Sequence, residues 1–354
     1  MSVPSRARWS AVPASGVVDP ASRPGTSVPG CVWSARRGYR RWVPQPLVGT
    51  DHALATALLA TPRASWRELA RRLGISERTV VRRVPPLFDR GVLRATAVRN
   101  PAYFPDLIAM ALRIRSTRDR IHSLATALAR RPDVFGVGLL GGGSEIGALL
   151  FLDGIAARDA LLRELPDTLA VTSWDERRII RIFPAAHDIW PGPHEPRLGI
   201  GLEDPLDPPD PLPIDRPLID ALIRDGRATY TDLSRAAGIT VHAARRRLDT
   251  LLRSRVVRPI TVVDPTLLGL TSQALLWLSA PPTSLEHIGR RLGTHPRVFF
   301  AATMTGPANL LIGVAARDPE ELSDFRTGGA LHEVTTVETA EILSPPKPLL
   351  DSAC

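Results

Sequence analysis

The chain has 354 residues, 44% of them hydrophobic and 23% charged, a balance that fits two to four globular domains with buried cores. Its longest apolar runs, such as Ala109 to Leu112 and Leu310 to Ala316, fall far short of the roughly 20 residues a membrane helix requires, so no membrane partner is expected. The net charge of +9 is uneven: residues 1–50 hold seven Arg against one Asp, so overall basicity is weak support for a nucleic-acid partner, and that case must come from where the arginines sit.

Residues 1–46 are rich in Pro, Ser, Gly and Arg without apolar periodicity, which predicts a disordered basic tail with its charge gathered at Arg36, Arg37, Arg40 and Arg41. Pro4 and Pro13 interrupt the first residues, so no secretory leader is expected. Cys31 and Cys354 are the only cysteines, too few for a disulfide framework, and a reducing cytoplasm fits them. The eight histidines lack metal-ligand spacing, so neither a metal site nor any other cofactor is expected.

Residues 47–100 carry the first strong pattern. Leu54 and Leu58 set helical spacing in a first helix; Ser65 and Glu68 form a capping-box signature that opens a second, which runs to about Leu73. Gly74 supplies a left-handed turn, and Ser76 caps a third helix bearing Arg78, Arg82 and Arg83. This is helix-turn-helix spacing, with a wing strand expected from Val92 and Leu93 through Thr96 to Val98. Pro85 and Pro86 predict that the third helix stops or kinks near Val84.

Residues 101–183 alternate strand and helix in the order βαββαβ, the ferredoxin-like arrangement, which leaves one sheet face without helices. Residues 184–211 read as a Pro-rich linker. The plan then repeats: helix-turn-helix and wing at 212–264, βαββαβ at 265–347, and a short tail at 348–354. A shift of 164 residues superposes the copies without a gap, and between 51 and 101 they share 17 identical positions. Asp51 falls on Asp215, Gly74 on Gly238, and Arg82 and Arg83 on Arg246 and Arg247, so the identities mark a common fold rather than biased composition. The fold class predicted is α+β, two winged helix-turn-helix domains alternating with two ferredoxin-like domains.

A helix-turn-helix places its third helix in the major groove, where the first side chains reach base edges and arginines meet phosphate or guanine. The candidates are Ser76, Arg78, Thr79, Arg82 and Arg83 in copy one, and Thr240, His242, Arg245 and Arg246 in copy two. A second candidate site is the turn between the central strands, Thr305, Gly306 and Asn309 in copy two, aligned with Gly142 and Glu145 in copy one. Glycine there lets backbone amides approach a small molecule, although a plain hairpin turn would use the same residues.

This order, together with the Asp232 to Thr240 segment, the arginines at 245–247, the Thr305 to Asn309 turn and the His332 to Thr339 ending, resembles the leucine-responsive and asparagine-synthesis regulators, the Lrp/AsnC family. The resemblance implies a transcription factor that binds double-stranded DNA, self-associates through its effector domains, and takes an amino acid or related metabolite near the Gly-x-x-Asn turn. Gly306 and Asn309 match that turn, whereas Glu145 departs from its short side chain. Tandem copies imply an intramolecular pseudo-dimer in which the two bare sheet faces cover each other. Two alternatives have the same architecture: a siroheme-decarboxylase-like enzyme, disfavoured by the absence of histidine in the strands 299–304 and 309–312, and an interaction module with degenerate DNA binding. No catalytic residue is expected.

Overall fold

The computed structural model describes residues 31–34, 41–165, 171–184, 202 and 205–344. In the stretch expected to be a disordered tail, β1 (Cys31–Ser34) and β2 (Arg41–Pro44) pair antiparallel, with Val32 opposite Val43. Arg36, Arg37 and Arg40 lie outside the described residues, as do residues 348–354 and most of the linker.

From residue 46 onward the first copy comprises α1 (Gly49–Ala60), α2 (Trp66–Leu73), α3 (Glu77–Asp89), β3 (Leu93–Arg99), β4 (Leu107–Ser116), α4 (Ile121–Ala129), β5 (Val134–Leu140), β6 (Glu145–Asp153), α5 (Gly154–Glu164) and β7 (Val171–Ile182). The second comprises α6 (Asp215–Arg224), α7 (Tyr230–Ala237), α8 (Val241–Arg253), β8 (Val257–Val263), β9 (Ser272–Ser279), α9 (Leu285–Gly293), β10 (Val298–Met304), β11 (Leu310–Ala316), α10 (Pro319–Thr327) and β12 (Thr335–Ser344). The same ten elements recur in the same order.

Local chemistry sets the helix ends. Ser65, Ser76, Thr229 and Thr240 each accept a hydrogen bond from a first-turn amide, contacts worth about 1 kcal/mol apiece. The reciprocal capping box is complete only at α7, between Thr229 and Asp232; at α2, Glu68 turns instead to Arg72. Gly74 and Gly238 adopt φ of 64° and 65° and close α2 and α7.

The helix does not stop near Val84: α3 continues through Pro85 and Pro86 to Asp89. Val80, Val84 and Leu87 are all fully buried and pin the last two turns to the core. The carbonyls that the prolines leave without amide partners belong to Val81 and Arg82, both exposed, where water can satisfy them.

The strands expected to be wings do something different. β3 and β8 pair with each other along their whole length, Leu93 opposite Val263 and Arg99 opposite Val257. A single strand after each helical unit leaves its backbone groups unpaired, and the equivalent strand of the other copy supplies the partners. Side chains cross as well: Ala97 enters the core of α6, α7 and α8, while Val263, Leu267 and Leu268 enter that of α1, α2 and α3. Thr96 Oγ1 donates to Ile223 O at 2.7 Å, and Thr261 Oγ1 to Leu58 O at 2.9 Å.

The remaining strands form two four-stranded sheets, β7-β4-β6-β5 and β12-β9-β11-β10, each in the order fourth, first, third, second. β12 pairs with β5 and β7 with β10, closing the two into one eight-stranded barrel. Helices α4 and α5 cover the outer face of the first sheet over Met110, Leu112 and Leu150; α9 and α10 cover the second over Leu276 and Ile312. The inner faces bury Ala111, Ile179, Trp277, Phe300 and Leu311 in a shared core, which also takes Leu202 from the linker.

Candidate functional site

On α3, Arg78 and Arg82 are four residues apart and exposed, as is Ser76 just ahead of them. Ser76 Oγ caps Thr79 N at 3.1 Å and lies 2.9 Å from Thr79 Oγ1, so both hydroxyls help set the helix start. On α8, His242, Arg245 and Arg246 lie at helical spacing on one exposed face, with Thr240 capping Ala243 N at 3.2 Å. Arg245 leans over the Tyr230 ring, 5.7 Å from its centroid. Each capped helix therefore presents cationic groups to solvent, an arrangement suited to a phosphate backbone.

Arg83 is engaged otherwise. It points back to α1, where Nη1 meets Asp51 Oδ1 at 3.0 Å; its counterpart Arg247 grips Asp215 at 2.6 and 2.7 Å and the carbonyl of Asp210 at 2.7 Å. These pairs clamp the third helix of each unit to the first. Sequence reading placed Arg83 with the DNA-facing group, and the missed signal was the joint recurrence of aspartate and arginine at the same offset.

The central-strand turns are also internally occupied. Asn309 Oδ1 accepts from Ala280 N at 3.0 Å and Nδ2 donates to Ala280 O at 2.9 Å, so its amide ties β11 to the end of β9. Thr305 N donates to Arg178 O at 2.9 Å, and Thr305 Oγ1 accepts from Arg178 N at 3.1 Å, which places this turn on the seam between the sheets. Gly306, at φ 107°, lies against Arg177, where any Cβ would collide with the guanidinium. Gly142, at φ 83°, faces open space. Glu145 is mostly buried and binds Arg113 at 2.7 Å and Arg115 at 3.4 Å. The five residues thus do not form one pocket; they belong to two separate turns.

Between the inner faces of the barrel strands and β8 lies a cavity of about 240 Å³, lined by Phe135, Leu149, Val262, Trp277, Phe299 and Ile342 among others. Arg113 stands at its edge, stacked 4.2 Å from the Trp277 ring centroid and held by Glu338 through two bonds of 2.6 and 2.7 Å. Burial works against this charge, but hydrogen bonds to Glu338 and Glu145 prevail and raise the Arg113 pKa above its ordinary value. The bond to Arg113 in turn holds the Glu338 carboxyl below its usual range. Arginine, tryptophan and the two glutamates lie on four different strands, β4, β9, β6 and β12, so no local motif announced the cluster.

A family model for the AsnC-type helix-turn-helix domain matches residues 49–86 and again 213–252, and the Lrp/AsnC ligand binding domain matches 273–349. The chain carries two AsnC-type helix-turn-helix domains and an Lrp/AsnC ligand binding domain. An uncharacterized HTH-type transcriptional regulator of Pyrococcus abyssi is 28% identical over 113 residues, 32% of this chain and 72% of the relative. The regulator LrpA of the same organism is 25% identical over 132 residues, 36% of this chain and 94% of its own. Among solved structures, the siroheme decarboxylase NirDL aligns over 83% of this chain and 91% of its own, with a TM-score of 0.53 and 12% identity. That likeness is one of fold. The ligand-binding match falls on the second copy, while both copies match in the helix-turn-helix.

Proposed function

We propose that this chain is a sequence-specific transcriptional regulator that acts as a dimer within one polypeptide, two winged-type helix-turn-helix units alternating with two ferredoxin-like domains. The observation that carries it is the pair of capped helices α3 and α8, each with an exposed cationic face. The relatives' names as regulators, the cross-paired β3 and β8, and the barrel shared by both sheets support it. Two unequal reading helices imply an imperfect palindrome with half-sites about 34 Å apart. Arg78, Arg82, Arg245 and Arg246 supply phosphate and guanine contacts, while Arg83 orients its helix. An amino acid or related metabolite binds at the seam turns, where the Gly306 backbone lies beside Arg177, and further self-association runs through the barrel domains. The protein works in the cytoplasm without a catalytic role.

Selection of bound genomic fragments by the purified full chain, followed by anisotropy titrations over a range of salt, tests this. Arg245→Ala with Arg246→Ala should weaken binding and lower the log-log salt slope by about two, one for each lost phosphate contact. Unchanged binding would remove α8 from the interface, and a footprint of one half-site per chain would exclude the one-chain dimer. The fold likeness to NirDL favours a second reading, tetrapyrrole decarboxylation. Turnover of siroheme by a protein indifferent to DNA would establish it instead.

A further inference from the structure

The barrel cavity exists because the two copies differ at the positions that should fill it. Gly136 and Gly138 on β5 and Gly147 on β6 line it, and the 164-residue offset places Phe300, Ala302 and Leu311 at the equivalent positions of copy two. Phe300 and Leu311 are buried and fill their half of the barrel. A Cβ on Gly136 would meet nothing within 4 Å, so the missing side chain leaves real space. At Gly147 and Gly138 a Cβ would touch only side-chain ends, Leu140 Cδ1 and Ile342 Cγ2, each at 3.2 Å.

An interior normally packs to crystal-like density, and about 150 Å³ of dry apolar cavity is enough to take up benzene. Here about 240 Å³ is walled by Phe135, Phe299, Trp277, Leu149, Leu275 and Ile342. The polar edge excludes ions as occupants. Arg113 has both terminal nitrogens committed to Glu338 and Glu145, and with Arg115 also on Glu145 the cluster balances two guanidiniums against two carboxylates, leaving no net charge to hold an ion of either sign.

We propose that this cavity is a binding site for one neutral, compact aromatic or branched apolar molecule per chain, about the size of a bicyclic ring. It is distinct from the Thr305 to Asn309 turn on the seam, and it is single because only copy one carries the glycines.

Titration of the full chain with indole by calorimetry, with neither DNA nor amino acid present, tests the site. One indole per chain is expected, with at least a tenfold loss of affinity in Gly136→Leu, whose side chain fills the space, and a smaller loss in Gly147→Ala. If Gly136→Leu does not fold, Gly147→Ala and xenon uptake followed by 129Xe NMR decide the matter, with xenon expected to bind the wild-type chain and bind less in the variant. Two equivalent indole sites, or affinity unchanged in a folded cavity-filling variant, would overturn the proposal, as would no uptake of indole or xenon. Since no step uses DNA, failure here is separable from failure of the regulator assignment.

Discussion

Arg63 and Arg227 reach across the two copies in opposite directions: Arg63 donates to the carbonyls of Gly226 and Ala228 at 2.6 and 3.0 Å, and Arg227 to those of Pro62 and Ala64 at 2.5 and 2.9 Å. The two arginines are equivalent by the 164-residue offset, so the contact is a reciprocal exchange. Arg227 also lies 4.1 Å from the Trp66 centroid, and Arg63 lies 5.8 Å from that of Tyr230, again equivalent positions. Burial, then the nearby charge of Arg63, lowers the Arg227 pKa.

Truncating this exchange should loosen the two helical units from each other. Arg227→Ala is expected to cost about 2 to 3 kcal/mol, because two charge-assisted bonds and a stacked ring are lost together. Arg227→Lys should recover little, since an ammonium cannot match the planar fork. Urea unfolding measures both, and a loss under about 0.5 kcal/mol for the alanine variant would show that the exchange is incidental.

The two aspartate-arginine clamps should be unequal. Asp215 and Arg247 side chains are 7% and 13% exposed, against 27% and 41% for Asp51 and Arg83. Removing one partner of a buried pair costs about 3 to 5 kcal/mol, and of an exposed pair about 0 to 1. Asp215→Ala should therefore destabilise the chain markedly more than Asp51→Ala, and equal midpoints in denaturant would contradict this.

Gly226 is where the second unit touches the β3 backbone. Its amide donates to Ala95 O at 3.1 Å, and a Cβ there would sit 2.6 Å from Thr96 N. Because the obstacle is backbone and not a flexible side-chain end, Gly226→Ala should cost at least about 2 kcal/mol. A melting temperature equal to the parent's would mean that the ribbon shifts freely.

Pro86 lies late in α3 and is exposed. Alanine there restores an amide donor for the Arg82 carbonyl and relieves the ring's contact with the preceding turn. Pro86→Ala should stabilise by about 1 kcal/mol or more, read from the shift in denaturant midpoint. Destabilisation would show that the proline's rigidity matters more than its missing donor.

His295 should make stability depend on pH. Burial first, then the charges of Arg297 and Arg291, lower its pKa from its ordinary value of 6.5. The unfolded state therefore binds the proton more readily than the folded one. Stability from this group is complete above about pH 6.5 and is lost as pH falls through that value towards the lower folded pKa. His295→Gln should flatten the pH dependence of the melting temperature between about pH 7.5 and 5, and an unchanged slope would place its origin elsewhere.

Many local features were legible in the sequence. The spacing of Leu54 and Leu58, the caps at Ser76 and Thr240, and the turns at Gly74 and Gly238 placed the helices, because capping and left-handed glycine are properties of a few adjacent residues. The prolines misled, because their local penalty is outweighed by the burial of Val84 and Leu87, which the segment alone does not reveal. The tie that Asn309 makes was likewise not legible, since its two bonds to Ala280 span 29 residues.

By itself the sequence determined the duplication, the order of elements in each copy and the positions of the two helix-turn-helix units, all encoded in short-range periodicity and in identities 164 residues apart. Only the tertiary structure decided that β3 pairs with β8, that the sheets close into one barrel, and that glycines in one copy leave a cavity where the other is filled. Those outcomes depend on which backbone edges and which volumes meet in space, a condition set jointly by segments far apart in the chain.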